Sequence, residues 1–162
     1  MSQIHYVIGD ATDPLSTGPR VLAHGCNDVG AWGAGFTRAL SNRWPHVENE
    51  YDRLIRALPR SERGGKVADI VQVETTLWVA HIVTQQGLID RHNPTPVKYD
   101  WIERGLNTLG RIAPNLAPTE QVTIHMPRIG CGLGGGKWEM VEPLVQKYLC
   151  GAGLDVYVYD LP

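Results

Sequence analysis

The chain has 162 residues, a formal net charge of −2 at pH 7, 43% hydrophobic residues and 20% charged ones. That size and mix fit one globular domain around one core and exclude a disordered or fibrous chain; the near balance of charge removes the general pull toward polyanions that a basic nucleic-acid-binding domain shows. Apolar runs are only strand-sized, the first residues lack the basic-then-apolar pattern of a secretory signal, and Cys26, Cys131 and Cys150 are too scattered for a disulfide framework or a zinc ribbon, so a cytoplasmic, reducing setting and no membrane contact are expected.

Along the chain, strand-like and helix-like segments alternate, the pattern of a sheet covered by helices on both faces. Gln3 to Ile8 reads as a strand ending in Gly9-Asp10, and Val21 to His24 as a short buried strand entering a glycine-rich stretch. Phe36 to Trp44 and His46 to Leu58 carry apolar residues at helical spacing, with Pro45 as the break between them. Arg53, Arg56, Arg60 and Arg63 recur here but are interleaved with Glu48, Glu50, Asp52 and Glu62, as on a solvated helix face. Ala68 to Val73 and Leu77 to Val83 are β-branched and separated by Glu74-Thr75-Thr76, which predicts neighbouring strands and a tight turn.

A polar, proline-containing loop (Arg91 to Pro96) precedes Val97 to Ile112, a crossover helix with Tyr99, Ile102, Leu106 and Leu109 on one stripe. Val122 to Met126 is a buried strand stopped by Pro127; Trp138 to Leu149 is a helix ended by Gly151 and Gly153; Leu154 to Tyr159 is the last strand. The fold class is therefore α/β, with about six strands in one domain spanning residues 1–162.

Two strand-to-loop-to-helix junctions are rich in glycine: Gly25 to Gly35 before the Phe36 helix, and Gly130 to Gly136 before the Trp138 helix. Each leaves backbone N–H groups at a helix N-terminus, where an anion is favoured, and the missing Cβ atoms let a diphosphate come close. Glycines that only make tight turns are the other reading, weakened by the occurrence of two such loops at corresponding positions. Neither loop matches the Gly-Lys-Ser/Thr of a nucleotide-hydrolysing P-loop or the full dinucleotide fingerprint. His24, His81 and His125 lie on or in strands and are expected to be hydrogen-bonded core residues; no clustered His/Asp/Cys spacing calls for a metal, and no cofactor is expected.

Val7-Ile8-Gly9-Asp10-Ala11-Thr12, Ala23-His24 with Trp32-Gly33-Ala34-Gly35-Phe36, and above all Met126-Pro127-Arg128-Ile129-Gly130-Cys131-Gly132-Leu133 resemble the macrodomain family over Ile4 to Leu161. The resemblance is to the branch that holds the terminal ADP-ribose protein glycohydrolase, a chromatin remodeller's macrodomain module and, nearby, bacterial DNA ADP-ribosyl glycohydrolase antitoxins. It implies a three-layer α/β/α fold with a mixed central sheet and a ligand cleft at the strands' C-terminal ends. Asp10 would accept from the adenine amino group, the Ala11 N–H would meet the ring, and Tyr159 would pack against adenine. Gly33, Ala34, Gly35 and Phe36 would line one side of the diphosphate, with Arg128, Ile129, Gly130, Cys131, Gly132, Leu133 and Gly134 on the other; Asn27 and Thr84 would lie toward the distal ribose.

In the glycohydrolase a lysine attacks the ribose and an aspartate assists; here those positions read Gln85 and Gly134. An amide is not a nucleophile of that kind, so a covalent lysyl route is not expected. Asn27, Asp28, Gln85 and Gln86 remain as candidates to position water, with Asp28 as a possible general base or a plain turn former. The resemblance thus implies an ADP-ribosyl-acceptor hydrolase acting on ADP-ribosylated protein (acidic side chains) or nucleic acid (bases), or else an ADP-ribose reader that binds without turnover; a monomer is expected.

Overall fold

A computed structural model describes residues 2–162. Six strands form one sheet in the order β1-β6-β5-β2-β4-β3: β1 Ile4–Ile8, β2 Arg20–Asn27, β3 Val71–Glu74, β4 Leu77–Gln85, β5 Thr123–Met126 and β6 Val156–Asp160. The neighbours β1/β6, β6/β5, β5/β2 and β2/β4 are parallel, and only the edge pair β3/β4 is antiparallel, joined by the tight turn at Thr75-Thr76. Five strands therefore end at the same edge of the sheet, where an α/β fold puts its ligands.

Side chains alternate between the two faces of each strand, and this alternation builds two apolar layers. Val21, Ala23, Ala80, Ile82, Ile124, Met126, Val156 and Val158 face α3 (Tyr99–Ile112) and α4 (Trp138–Tyr148), which bury Ile102, Leu106, Leu109, Val141 and Val145 against them. The intervening residues Leu22, Leu77, Val79 and Tyr159 face the opposite layer, where α1 (Phe36–Arg43) contributes Leu40. Tyr51 of α2 (Asn49–Ala57) packs there against Cys26 and Val83. The same period places His24, Cys26, His81 and His125 on that second face, all buried.

The observed elements depart from the expected ones mainly at their ends. The second strand does not stop at His24: its pairing with β4 continues through Gly25 and Cys26 to Asn27 opposite Gln85, with a bulge between Cys26 and Asn27. Only Val71–Glu74 of the third segment is strand, and α2 begins at Asn49 because residues 45–48 form turns after Pro45. Among the described residues, no helix is long and apolar enough to cross a membrane.

Candidate functional site

A cleft of about 630 Å³ opens at the C-terminal edge of the sheet, between the segments that leave β2, β4 and β5. This is within the ordinary size range of small-molecule sites. One wall runs from Ala31 through Thr37 at the start of α1, the other from Pro127 to Gly134 after β5, and the floor is His24, Gly25, Asn27, Thr84 and Gln85.

The two glycine loops meet across it. A Cβ on Gly35 would stand 3.2 Å from Leu133 Cδ1, and Gly35 itself has φ +61, a left-handed conformation that favours glycine. The first loop is pinned by Thr37, whose hydroxyl accepts from Gly33 N–H at 2.9 Å and donates to the Ala34 carbonyl at 2.8 Å. The second folds on itself: Gly136 N–H donates to the Gly130 carbonyl at 2.7 Å and Gly135 N–H to the Gly132 carbonyl at 3.0 Å. Among the described residues nothing accepts from the backbone N–H groups of Ala34, Gly35 and Phe36, or from those of Gly132, Leu133 and Gly134. Two sets of free amide donors thus face one gap, an arrangement suited to an anion with oxygens on two sides.

At the floor, Gln85 and Gly134 lie together, since a Cβ on Gly134 would come within 3.0 Å of Gln85 Nε2 and 2.6 Å of the Gly130 carbonyl oxygen. Asn27 is 8% exposed; its Oδ1 accepts from Val29 N–H and Ala31 N–H, its carbonyl accepts from the Tyr51 hydroxyl at 2.6 Å, and its Nδ2 donates to the Ala31 carbonyl at 2.8 Å. One amide hydrogen is left for the cleft. Thr84 is fully buried, and among the described residues its hydroxyl has no hydrogen-bond partner; a Cβ on Gly25 would collide with that oxygen.

Several of the expected residues stand elsewhere. Asp28 is 1% exposed; its Oδ1 accepts from Gly87 N–H at 2.8 Å and its Oδ2 pairs with Arg60 Nε at 3.1 Å, so it ties the segment after β4 to the end of β2 and does not line the cleft. Gln86 is exposed and held by its backbone, N–H to Pro96 and carbonyl to Asn93 Nδ2. The Cys131 side chain packs against the main apolar layer, where burial pushes its thiol up. Arg128 reaches the cleft edge but makes two 2.8 Å bonds to Asp160 and lies over the Tyr6 and Trp138 rings. That carboxylate raises the guanidinium pKa, and the guanidinium in turn lowers that of Asp160.

Asp10, Ala11 and Tyr159 gather beyond the end of the cleft. Asp10 Oδ1 accepts from Thr12 N–H and its hydroxyl at 2.8 and 2.7 Å, and among the described residues Oδ2 has no partner. Tyr159 lies buried beneath the Ala11–Leu15 segment, accepting from Leu15 N–H at 2.9 Å and meeting His125 Nδ1 at 2.7 Å. Sequence reasoning passed over Trp32, Leu88 and Ile89 as lining residues. Trp32 was visible in the glycine motif, and its Nε1–H donates to the Ser41 hydroxyl at 2.7 Å, holding the indole at the wall. Leu88 and Ile89 reach the cleft from the long segment after β4 and are half exposed.

No protein-family model matches the chain. A macrodomain protein from Streptomyces coelicolor is 42% identical, with 98% of this chain and 99% of that one covered and a TM-score of 0.77. A protein of unknown function from Bacteroides thetaiotaomicron is 37% identical over 99% of both chains, with a TM-score of 0.86. The ADP-ribose 1''-phosphate phosphatase of Candida albicans is 28% identical over 152 residues, 90% of this chain and 93% of that protein. The sheet order, the paired glycine loops and the likeness to the Streptomyces protein over nearly the whole chain agree: this chain belongs to the macrodomain family.

Proposed function

We propose that the protein binds ADP-ribose across the two glycine loops and hydrolyses the bond between an ADP-ribosyl group and its acceptor, with water as the nucleophile. The observation that carries this reading is the pair of facing backbone cradles, each with unpartnered amide hydrogens, separated by one cleft of about 630 Å³. A pyrophosphate bridges them. The free Oδ2 of Asp10 accepts from the adenine amino group, with Ala11 N–H beside the ring and Tyr159 supporting the segment from below. The distal ribose then rests over Asn27, Thr84 and Gln85.

The lining residues define how the bond breaks. Among them there is no carboxylate and no lysine, and burial lowers the pKa of the one imidazole, His24, well below its ordinary value. Catalysis therefore rests on position. The Gln85 amide and the spare N–H of Asn27 orient water at the anomeric carbon; a carbon–oxygen bond forms to water, the bond to the acceptor breaks, and the acceptor keeps its electron pair while the proton passes to solvent. An acidic side chain leaves as a stable carboxylate and needs no proton donor, which favours acidic protein acceptors over nucleic-acid bases in this cleft. Asp28 serves as a positioning residue, because its oxygens are committed to Gly87 and Arg60.

Two other outcomes have their own support. Gln85 and Gly134 at the catalytic positions suit a reader, and the Candida relative's name suits removal of a phosphate from the distal ribose. Incubation with an ADP-ribosylated protein, an ADP-ribosylated oligonucleotide and ADP-ribose 1''-phosphate, followed by measurement of free ADP-ribose and phosphate, separates them. Release of ADP-ribose from the protein substrate supports the proposal; tight binding with no product in any arm makes the protein a reader, and phosphate alone makes it a phosphatase.

A further inference from the structure

We propose that His24, Cys26 and His81 form a binding site for one soft divalent cation of the zinc class, set behind the floor of the cleft. This does not rest on the ADP-ribose reading. His24 and Cys26 are two apart on β2 and so share a face, and His24 is the register partner of His81 on β4. Their ligand atoms, two imidazole nitrogens and one sulfur, all lie within 4.8 Å of one another.

The hydrogen bonds prepare the ligands. A carbonyl can only accept, so His81 Nε2 carries the hydrogen that goes to the Val47 carbonyl at 2.7 Å, and His81 Nδ1 is left with a lone pair. An imidazole oriented by a backbone carbonyl through its second nitrogen is the arrangement that steadies metal-bound histidines. That lone pair points at His24 Nε2, 2.5 Å away, and the Cys26 sulfur lies 3.8 and 3.9 Å from the two His24 ring nitrogens. A tetrahedral ion with bonds of about 2.0 Å to nitrogen and 2.3 Å to sulfur sets N···N near 3.3 Å and N···S near 3.5 Å. The sulfur, 3.9 Å from His24 Nε2 and within 4.8 Å of the His81 ligand nitrogen, moves in toward the ion, and the two rings need to part by less than 1 Å.

Charge and access also fit. Burial keeps both imidazoles neutral, the form that ligates, and holds the Cys26 thiol protonated. Binding replaces the sulfur–hydrogen bond with a sulfur–metal bond and sends one proton to solvent, while the His24 hydrogen moves from Nε2 to Nδ1. All three side chains are buried, but His24 also lines the cleft, so the ion enters past that side chain and brings with it the water that serves as its fourth ligand.

The test titrates the reduced, metal-free full chain with Co²⁺. We expect saturation at one equivalent, with a thiolate-to-cobalt charge-transfer band in the near ultraviolet and visible bands of a four-coordinate ion, both bleached by Zn²⁺. The double variant C131S/C150S, which leaves Cys26 as the sole thiol, keeps the bands. Cys26→Ser loses the charge-transfer band and weakens Zn²⁺ binding on the order of a hundredfold. If the wild type shows no such bands, or if they vanish in the double variant, the site does not exist as proposed.

Discussion

Adding one methyl group at either of two neighbouring glycines should separate the packing of the second cradle from its use. At Gly134 a Cβ would stand 2.6 Å from the Gly130 carbonyl oxygen, about 0.8 Å inside ordinary contact, and that oxygen also accepts from Gly136 N–H at 2.7 Å. The loop cannot yield without breaking this bond, so Gly134→Ala should cost about 1–3 kcal/mol, as overpacking does. That lowers the melting temperature by roughly 3–10 °C for a domain of this size. At Gly132 a Cβ meets no atom within 4 Å. Gly132→Ala should therefore leave stability within about 0.5 kcal/mol of wild type yet crowd the diphosphate, weakening ADP-ribose by about tenfold, or 1.4 kcal/mol. Thermal melts and calorimetric titration with ADP-ribose read both quantities. An unchanged melt for Gly134→Ala would refute the packing argument, and an unchanged affinity for Gly132→Ala would refute the diphosphate's placement.

Gln85→Ala should keep ADP-ribose affinity within a few fold and slow release by roughly a hundredfold; single-turnover release at saturating protein checks this, and an unaltered rate removes Gln85 from the mechanism. Asp28→Ala leaves the Gly87 N–H and Arg60 without their acceptor and should destabilise by about 1–3 kcal/mol, the cost of an unsatisfied buried donor; a denaturant melt that matches wild type would contradict the tie between β2 and the segment after β4. Burial lowers the pKa of His81 to about 4 and that of His125 to about 3, against an ordinary value near 6.5. The unfolded chain then binds more protons than the folded one below pH 6.5, so stability is full above that pH and falls as pH drops toward 4, by a few kcal/mol. Melts from pH 7 to 4.5 should show the decline, His125→Gln should flatten it, and an equally steep decline in that variant would count against the linkage.

The sheet could be read from the sequence because burial on both faces gives continuous apolar runs, and proline or glycine marks their ends. The glycine loops were legible for the same local reason. What lay hidden depended on partners far along the chain. Asp28 looks like a turn former or a base in Asn27-Asp28-Val29-Gly30, and only the approach of Arg60, 32 residues on, shows where its charge goes. His24 and His81 each read as a core histidine, but their contact follows from the β2/β4 register, which no local pattern specifies. Gly25 suggested the end of a strand; the ladder runs past it because the position faces Thr84, whose hydroxyl fills the space a side chain would need.

The gripping of one pyrophosphate by backbone amides from both loops is tested most directly by the amide ¹H–¹⁵N spectrum during titration with ADP-ribose. The largest shifts should fall together on Ala34, Gly35 and Phe36 and on Gly132, Leu133 and Gly134. Saturation of binding with either group left unmoved would contradict the two-sided cradle.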